Sequence, residues 1–205
     1  MEMSSRTFCV SAIGAGTAFG LVGAQAASAQ RSSKIKFYKN LGPGHIGVRP
    51  NQEQAVKYAA QYGFDSITPS AGPFLDKSAG DIEQWLGQMR KSGIRYGSAG
   101  LPVDFRRDED RYQQGLGQMP KQARVLKQLG VTRMATWILP GDSEMTYLKN
   151  FERHRRRLRA ASQVLQDNGI RLGLEFVGPR TSRARKRFPF ICTQHGMMEL
   201  IEAIG

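Results

Sequence analysis

Glu175 is the residue of this chain whose type and position are best suited to chemistry. It lies near the end of an apolar run, 170–177, that reads as a short β-strand. A carboxylate inside an apolar strand is costly to bury unless a cation or hydrogen bonds hold it. Hard oxygen ligands suit Mg²⁺ or Mn²⁺, so we predict that Glu175 binds a divalent metal. The alternative without a function is an ion pair with a neighbouring arginine, such as Arg171 or Arg180.

Two further side chains are candidates for substrate binding. His45 follows the first predicted strand, at the strand end where parallel α/β folds build their sites. Trp137 lies late on the fourth strand and could form the floor of a sugar pocket. Loop exposure explains His45, and core packing explains Trp137, about as well. Strand alternation sends Phe176 to the face opposite Glu175, toward the helices.

The other histidines do not indicate a metal site. His154 lies among arginines on a helix, so we expect it at the surface, and His195 occupies a helix start. Together with His45 they show no ligand spacing such as H-x-x-x-H.

A recurring glycine organises the elements that position these residues. Gly63, Gly93, Gly130 and Gly169 each follow a helical segment and precede a short apolar run. Glycine suits the left-handed residue just past a helix, and an apolar run suits a buried parallel strand. Each of these four glycines therefore predicts a joint between a helix and a strand.

These joints divide the chain into repeating βα units. Pro120 should break or kink the third helix and mark a new start at Lys121. We expect Ala55, Tyr58, Ala59 and Tyr62 to form the inner face of the first helix. The predicted strands are 34–38, 64–68, 94–99, 131–139 and 170–177, and the predicted helices are 51–62, 79–91, 108–129, 146–167 and 195–204.

Strict alternation of five strands and helices predicts an α/β fold with a parallel sheet and right-handed crossovers. A complete (β/α)₈ TIM barrel typically needs about 250 residues. The chain ends on another helix-then-glycine joint, Ile204-Gly205. We therefore predict an N-terminal signal followed by a TIM barrel truncated to about five parallel strands, in a domain spanning 30–205.

An open nucleotide-binding sheet is the alternative fold. The segment 42–47, Gly-Pro-Gly-His-Ile-Gly, has the G-x-G-x-x-G spacing of dinucleotide sites. Such a site places its last glycine in a helix and an acid at the end of the second strand. Here Pro50 and Asn51 delay the helix, and Thr68-Pro69-Ser70 ends the strand. The pattern alone is therefore weak.

The first 29 residues are typical of an export signal. Arg6 precedes an apolar run, 7–24, and Ala27-Ser28-Ala29 forms a small-x-small cleavage site. We expect a periplasmic or secreted protein with no stable membrane anchor after cleavage. Cys9 would leave with the signal, so Cys192 would have no partner for an internal disulfide.

The formal net charge of +13 is concentrated in two clusters. Such clusters could bind nucleic acid or phosphates. Because no aromatic residues interleave to stack bases, we expect solvated surfaces and no nucleic-acid partner. The clusters are Arg153, Arg155, Arg156, Arg157 and Arg159, and Arg180, Arg183, Arg185, Lys186 and Arg187.

Three segments of the sequence resemble the xylose isomerase-like TIM barrels, the sugar phosphate isomerase/epimerase superfamily, and in particular its exported bacterial branch. The resemblance covers about 34–205. The segments are Gln-Tyr-Gly-Phe-Asp at 61–65, Asn-Gly-Ile at 168–170 leading to Leu-Glu-Phe-Val-Gly-Pro at 174–179, and Phe-Pro-Phe-Ile at 188–191.

This resemblance implies a divalent-metal-dependent sugar isomerase or epimerase. Members bind one metal through a Glu on strand five, an acid on strand six, a His after it and a Glu on strand eight, and move a proton beside a carbonyl through an enediolate. Only the first ligand matches, at Glu175, which would be metal ligand and catalytic base. His45 and Trp137 would contact a small-molecule sugar or sugar derivative, and the basic loop 180–187 could hold an acidic or phosphorylated sugar. With the Mn²⁺ or Mg²⁺ ligand set incomplete, we expect weak or no activity.

Two other functions stay open at this point. One is a non-catalytic carbohydrate-binding or vestigial barrel, which the incomplete ligand set favours. The other is an apurinic-site nuclease of the endonuclease IV type, a class that resembles this chain at the strand-five Glu. Those nucleases need histidines after strands two and three, where this chain has Thr68-Pro69-Ser70 and Ser98-Ala99-Gly100.

Overall fold

The computed structural model describes residues 37–205. The predicted export signal, 1–29, and the first three residues of the predicted first strand lie outside this part, so the signal stays a prediction. No helix in 37–205 is both long and apolar enough to cross a bilayer. The elements are β1 Asn40–Leu41, α1 Gln52–Gln61, β2 Ser66–Ile67, α2 Ala79–Lys91, β3 Arg95–Tyr96, β4 Ala99–Gly100, α3 Glu109–Gln128, β5 Arg133–Ile138, β6 Gly141–Asp142, α4 Tyr147–Asp167, β7 Arg171–Phe176, α5 Arg180–Ala184, β8 Phe188–Pro189 and α6 Gln194–Ile204.

The parallel strands lie side by side in the order in which the chain makes them. β1, β2 and β3 form one parallel sheet, and β4, β5 and β7 form another. Only two residues separate β3 from β4, so the same passage of chain contributes to both sheets. A dinucleotide fold instead reverses its strand order after the third strand. The consecutive order is that of a βα barrel, which confirms the predicted α/β TIM-barrel fold class.

The first strand lies later in the chain than the predicted 34–38. Asn40 pairs with Ser66 and Leu41 pairs with Ile67. Phe37 and Tyr38 are exposed and belong to no strand. The prediction was wrong at 37–38, because pairing with β2 begins only at Asn40, two residues after the apolar pair.

The glycine-rich segment 42–47 does not start a helix. Pro43–Ile46 forms a single 3-10 turn, and Gly47 ends it in the left-handed region with φ +76°. The next helix begins only at Gln52, capped by the Asn51 side chain. A dinucleotide site needs the helix N-terminus directly against the glycines, so this segment does not fit one.

The predicted joints between helices and strands are confirmed. Gly63, Gly93, Gly130 and Gly169 have φ between 69° and 77°, a region that costs residues with a Cβ energy but suits glycine. Each lies just past a helix end and leads into the next strand.

The hydrophobic core lies between the helices and one face of the sheet β4-β5-β7. Strand β5 contributes Met134 and Ile138 to it, and Leu172, Leu174 and Phe176 of β7 pack against the same core. The expected inner face of α1 was wrong at two positions: Val56 is buried, whereas Tyr58 and Tyr62 are exposed. The small residues Ala55 and Ala59 centre the buried face on Val56, and the tyrosine rings keep their polar ends in water.

Pro120 does not divide the third helix. α3 runs unbroken from Glu109 to Gln128 with Pro120 inside it. Proline in a helix interior costs about 3 kcal/mol or more. Burial of Met119, Ala123 and Leu126 on the same helix offsets this cost, at about 1.5–3 kcal/mol for each large side chain.

An antiparallel pair that the sequence did not suggest joins two loops at the carboxyl ends of the strands. β6 pairs with β8 through Gly141 with Pro189 and Asp142 with Phe188. The two strands approach so closely at Gly141 that a Cβ atom there would lie 2.6 Å from the Lys186 side chain. This pairing draws the loop after β7 toward the loop after β5.

Candidate functional site

Glu175 and Trp137 are neighbours at the carboxyl end of the sheet. They are register partners on β7 and β5, each one residue before its strand ends. The side chains of two residues paired in register on neighbouring strands point to the same face of the sheet. Since Phe176 packs into the helical core, Glu175 lies on the opposite face, as predicted. On this face Glu175 is exposed and Trp137 is 46% exposed.

Glu175 forms no ion pair with any residue of 37–205. Pairing with Arg171 or Arg180 was the explanation that required no function. The structure gives that explanation no support, so the carboxylate is available to a ligand.

Arg106 lies over the same tryptophan. Its guanidinium carbon is 4.0 Å from the centre of the Trp137 ring and 4.2 Å from that of Phe105. One terminal nitrogen, Nη2, donates to Thr136 Oγ1 at 2.8 Å and to the Trp137 carbonyl. Burial lowers the pKa of Arg106, and the nearby charge of Asp104 opposes that shift. Arg106, Trp137 and Glu175 thus follow one another along the carboxyl edge of the sheet.

A cavity of about 970 Å³ opens at this edge. Its walls come from the loops after β4 and β5, with Lys186 contributed by the loop after β7. Arg106 and Trp137 both line it, whereas Glu175 does not and lies beside Trp137 on the neighbouring strand. The volume lies at the upper end of the range for small-molecule sites, and the position matches that of active sites in βα barrels.

Arg157 of α4 holds the loop that carries Arg106. Its Nη1 donates to the carbonyls of Phe105, at 2.9 Å, and Arg107, at 2.6 Å, on either side of Arg106. Its Nη2 donates to Glu109 Oε2 at 2.6 Å, and the side chain is only 4% exposed. Hydrogen bonds from Arg156, Arg157 and Gln113 lower the pKa of Glu109 to about 2. A buried cation therefore positions the loop at the cavity.

Two of the five arginines of α4 depart from the solvated surface that we expected: Arg157 is buried and Arg153 is largely buried. Arg156 and Arg159 are exposed and Arg155 is partly exposed, as expected. The acids and carbonyls that bind the five arginines come from other elements as well as from α4, which the local sequence does not show. Arg153 bonds Asp142, Arg155 bonds Glu152, Arg156 and Arg157 bond Glu109, and Arg159 bonds the Ile204 carbonyl.

His154 is buried, contrary to the expectation of a surface position. It is 2% exposed, and its ring lies 5.4 Å from that of Phe105 and 4.9 Å from that of Phe190. Nδ1 is 2.8 Å from the Asn150 carbonyl oxygen, to which it donates in the neutral ring. Burial lowers the pKa of His154 to about 4. The surrounding arginines had suggested exposure, but the helix turns this one position toward the core.

His45 lies apart from the other candidates. It belongs to the 3-10 turn after β1 and is exposed. It lines a cavity of about 300 Å³ at the carboxyl ends of β1 and β2, together with Thr68 and Ser70. Trp137 and His45 thus line different cavities, and the structure brings only Trp137 together with Glu175.

The residues in 37–205 do not make up a complete metal site. They contain no group of three histidine, cysteine, aspartate or glutamate side chains able to share an ion. Glu175 offers one carboxylate, whereas divalent cations that prefer oxygen take several protein or water ligands. The expected metal ligand is therefore present, but the rest of a ligand set is not found in this part of the chain.

Sequence reasoning did not single out Arg106 or Arg157. Arg106 could have been found from its place in the segment 101–107, which follows a predicted strand on the side where Glu175 lies. Arg157 gave no such signal, because its partners are 48 to 52 residues away in the sequence.

Comparison with known proteins agrees with this geometry. The family model described as xylose isomerase-like TIM barrel matches residues 56–205. Comparison with curated protein sequences gave no match.

Among solved structures, a xylose isomerase domain protein from Alicyclobacillus acidocaldarius is similar over 82% of this chain and 59% of its own, with 23% identity and a TM-score of 0.67. D-psicose 3-epimerase from Clostridium cellulolyticum H10, solved with D-tagatose, covers 82% of this chain and 60% of its own at 15% identity and a TM-score of 0.61. The IOLI protein with a bound zinc atom covers 82% and 59% at 18% identity and a TM-score of 0.60. At these identities the likeness establishes the fold alone, and the chain spans about three fifths of the length of these structures.

Proposed function

The chain belongs to the xylose isomerase-like TIM barrel family, and from this premise we propose that it acts on a small-molecule sugar as an isomerase or epimerase. The observation that carries the proposal is the pair formed by Glu175 and Trp137 at the carboxyl end of the sheet. A carboxylate without an ion pair beside an accessible indole ring suits a sugar, because the ring packs against C–H groups while the carboxylate reaches a proton. The epimerases among the similar structures support the same class of reaction.

In the proposed reaction Glu175 is the base. Its carboxylate takes the proton from the carbon next to the sugar carbonyl, and the electrons of that C–H bond form a carbon–carbon double bond. The carbonyl oxygen then carries the negative charge of an enediolate. Return of the proton from Glu175 to the former carbonyl carbon isomerises the sugar, with the hydroxyl proton of the adjacent carbon passing through water to the enediolate oxygen. Epimerisation instead requires water to deliver a proton to the opposite face of the original carbon, after which Glu175 gives up its proton to solvent. A positioned base of this kind contributes about 10²- to 10⁴-fold to the rate.

We expect a divalent metal to bind at Glu175, but the proposed reaction assigns it no step. Mn²⁺ or Mg²⁺ would take Glu175 as one oxygen ligand, in line with the preference of these ions for carboxylates. Because the residues in 37–205 supply no further ligand group, no step is assigned to the metal, and turnover by these residues alone is expected to be slow.

Proton exchange in D₂O tests the proposal directly. The full chain is incubated with D-fructose or D-tagatose and Mn²⁺, and deuterium entering next to the carbonyl is followed by NMR. We expect slow incorporation, reduced about 100-fold or more in E175Q. The matched control is E202Q, which removes an exposed carboxylate from α6 and should leave the rate unchanged. Equal rates in E175Q and in the unaltered chain would show that Glu175 is not the base.

A carbohydrate-binding protein without catalysis is the second candidate. It is favoured because the residues of 37–205 contain no group of three side chains able to share a metal ion. It predicts that sugars bind the chain and protect Trp137 from fluorescence quenchers, while no deuterium enters the sugar at any metal concentration.

A further inference from the structure

Arg106 lies partly buried at the cavity and has no carboxylate within ion-pairing distance in 37–205, although the charge of Asp104 acts on it from farther away. Asp104, the nearest acid in the loop, pairs instead with Arg107 at 3.5 Å. The Nε atom of Arg106 is buried and has no hydrogen-bond partner in this part of the chain. Removing a charge from water is costly unless an opposite charge or hydrogen bonds compensate. The two aromatic rings offset part of that cost.

The guanidinium is held in one orientation. The rings of Trp137 and Phe105 contact the group, and Nη2 is bound by Thr136 and the Trp137 carbonyl. Its other terminal nitrogen, Nη1, makes no hydrogen bond within 37–205, and the residue lines the cavity of about 970 Å³. Arg157 fixes the loop on both sides of it. A fixed guanidinium with a free donor is well suited to an anionic oxygen, because little side-chain entropy remains to be lost on binding.

We propose that Arg106 binds an oxyanion of the substrate, a phosphoryl or carboxylate group on the sugar. This inference rests on the proposed function, and it narrows the substrate class from any sugar to an anionic one. The cavity lining also holds five carboxylates, but four of them, Asp104, Asp108, Glu109 and Asp142, pair with arginines. Among the lining charges without an ion pair in 37–205, Arg106 and Lys186 therefore stand against Glu144 alone. Trp137 would then contact the sugar between the oxyanion at Arg106 and the reacting carbon at Glu175.

A purely structural role for Arg106 makes a different prediction. If the side chain serves only to satisfy the Trp137 carbonyl and the Thr136 hydroxyl, its replacement lowers stability but does not change the preference among ligands. Stability and ligand preference must therefore be measured on the same variants.

Calorimetric titration of the full chain separates these roles. The probes are D-fructose, D-fructose 6-phosphate, D-galacturonate and inorganic phosphate. We expect an anionic sugar to bind at least about tenfold more tightly than D-fructose, the effect of a hydrogen bond to a charged group. Tighter binding of the phosphate ester than of the uronate identifies the phosphoryl group as the oxyanion, and the reverse order identifies the carboxylate.

R106Q should abolish the preference for the anionic sugar while leaving D-fructose binding within about twofold. R106K retains the charge but lacks the planar fork, so it should keep part of the preference even if R106Q folds poorly. The matched control is R95Q, since Arg95 is also stacked on an aromatic ring, at 3.9 Å from the centre of Tyr38, but lies at the start of β3 in the other parallel sheet.

An equal affinity for D-fructose and both anionic sugars would overturn the inference, as would a preference that R106Q and R95Q reduce by the same amount. Neither result affects the proposed function, which fails separately if deuterium exchange does not depend on Glu175.

Discussion

The two basic clusters look alike in the sequence but differ completely in the structure. Each has five cationic side chains within eight residues or fewer. In α4 every arginine of the cluster binds an acid or a carbonyl, and Arg157 is buried. The segment 180–187, predicted as a loop, consists of the short helix α5 and the turn that follows it. All five of its cations are exposed, and none of them lies within ion-pairing distance of a carboxylate of 37–205.

The difference arises from what faces each cluster. The N-terminus of α3 brings Glu109 against α4, and the β6 residue Asp142 reaches Arg153. Within the part of the chain that the structure describes, no acid lies within ion-pairing distance of the cations after β7. The α4 cluster therefore stabilises the fold, since Arg157 joins α4 to the loop that holds Arg106. The cluster 180–187 remains exposed to solvent. A run of arginines in a sequence does not by itself indicate which of these it will be.

Removal of Arg157 should have the largest effect of any change in either cluster. R157A leaves the carbonyls of Phe105 and Arg107 without their donor and Glu109 without its closest cation. Glu109 is 45% exposed and keeps Arg156, so the cost comes from the carbonyls, at about 1–3 kcal/mol for a buried acceptor left without its donor. We expect a loss of that size in the free energy of unfolding, measured by urea denaturation at pH 7.

R155A is the matched control for this measurement. Arg155 is on the same helix and bonds Glu152 three residues earlier, but this pair is at the surface. Because solvent screens an exposed pair, its loss should lower the free energy of unfolding far less than R157A does. If R155A and R157A lowered the free energy of unfolding by similar amounts, Arg157 would stabilise the fold no more than an exposed arginine does. The two basic clusters would then not differ in their contribution to stability.

Lowering the pH should reduce the stability of the fold, because His154 of α4 is buried in its neutral form. The pKa is about 4 in the folded chain, because burial disfavours the cation, and has its ordinary value of about 6.5 in the unfolded chain. Between these values the unfolded state binds the proton and the folded state does not, so stability falls as the pH is lowered from 6.5 to 4. The total loss from this group is about 3 kcal/mol.

Urea denaturation between pH 7 and pH 4 measures this slope, and two variants assign it. H154M replaces the ring with an adaptable apolar side chain and should remove most of the pH dependence between 6.5 and 4. H195Q should keep it, because His195 is exposed and its salt bridge to Glu199 is at the surface. A slope that persists in H154M would have to come from other groups.

Local signals in the sequence account for the parts of the fold that were predicted correctly. Gly169 ends α4 through a backbone conformation that few other residues adopt, so the start of β7 could be placed within one residue. Alternation on β7 then located Glu175 and Phe176 on opposite faces, because the side-chain period of a strand is two.

Contacts distant in the sequence decided the rest. The burial of His154 and Arg157 depends on Phe105, Glu109 and Phe190, none of which is near α4 in the sequence. Arg106 became a candidate only when its ring contact with Trp137 was known. Local patterns thus located the carboxylate of the site, whereas the cation beside it required the folded chain.

The loop after β7 should show the smallest effect on stability and thereby define the other side of the comparison. Arg180 and Arg185 are exposed and make no ion pair in 37–205, so the double variant R180Q/R185Q should change the free energy of unfolding by less than about 0.5 kcal/mol. The sign of this change in the free energy of unfolding should depend on the salt concentration. Arg185, Lys186 and Arg187 are consecutive cations that repel one another, so removal of charge should stabilise the chain slightly at low ionic strength. At 1 M salt the screening length is about 3 Å and this gain should vanish. Urea denaturation at both salt concentrations tests this, and a loss above about 1 kcal/mol would mean that the loop cations are anchored as those of α4 are.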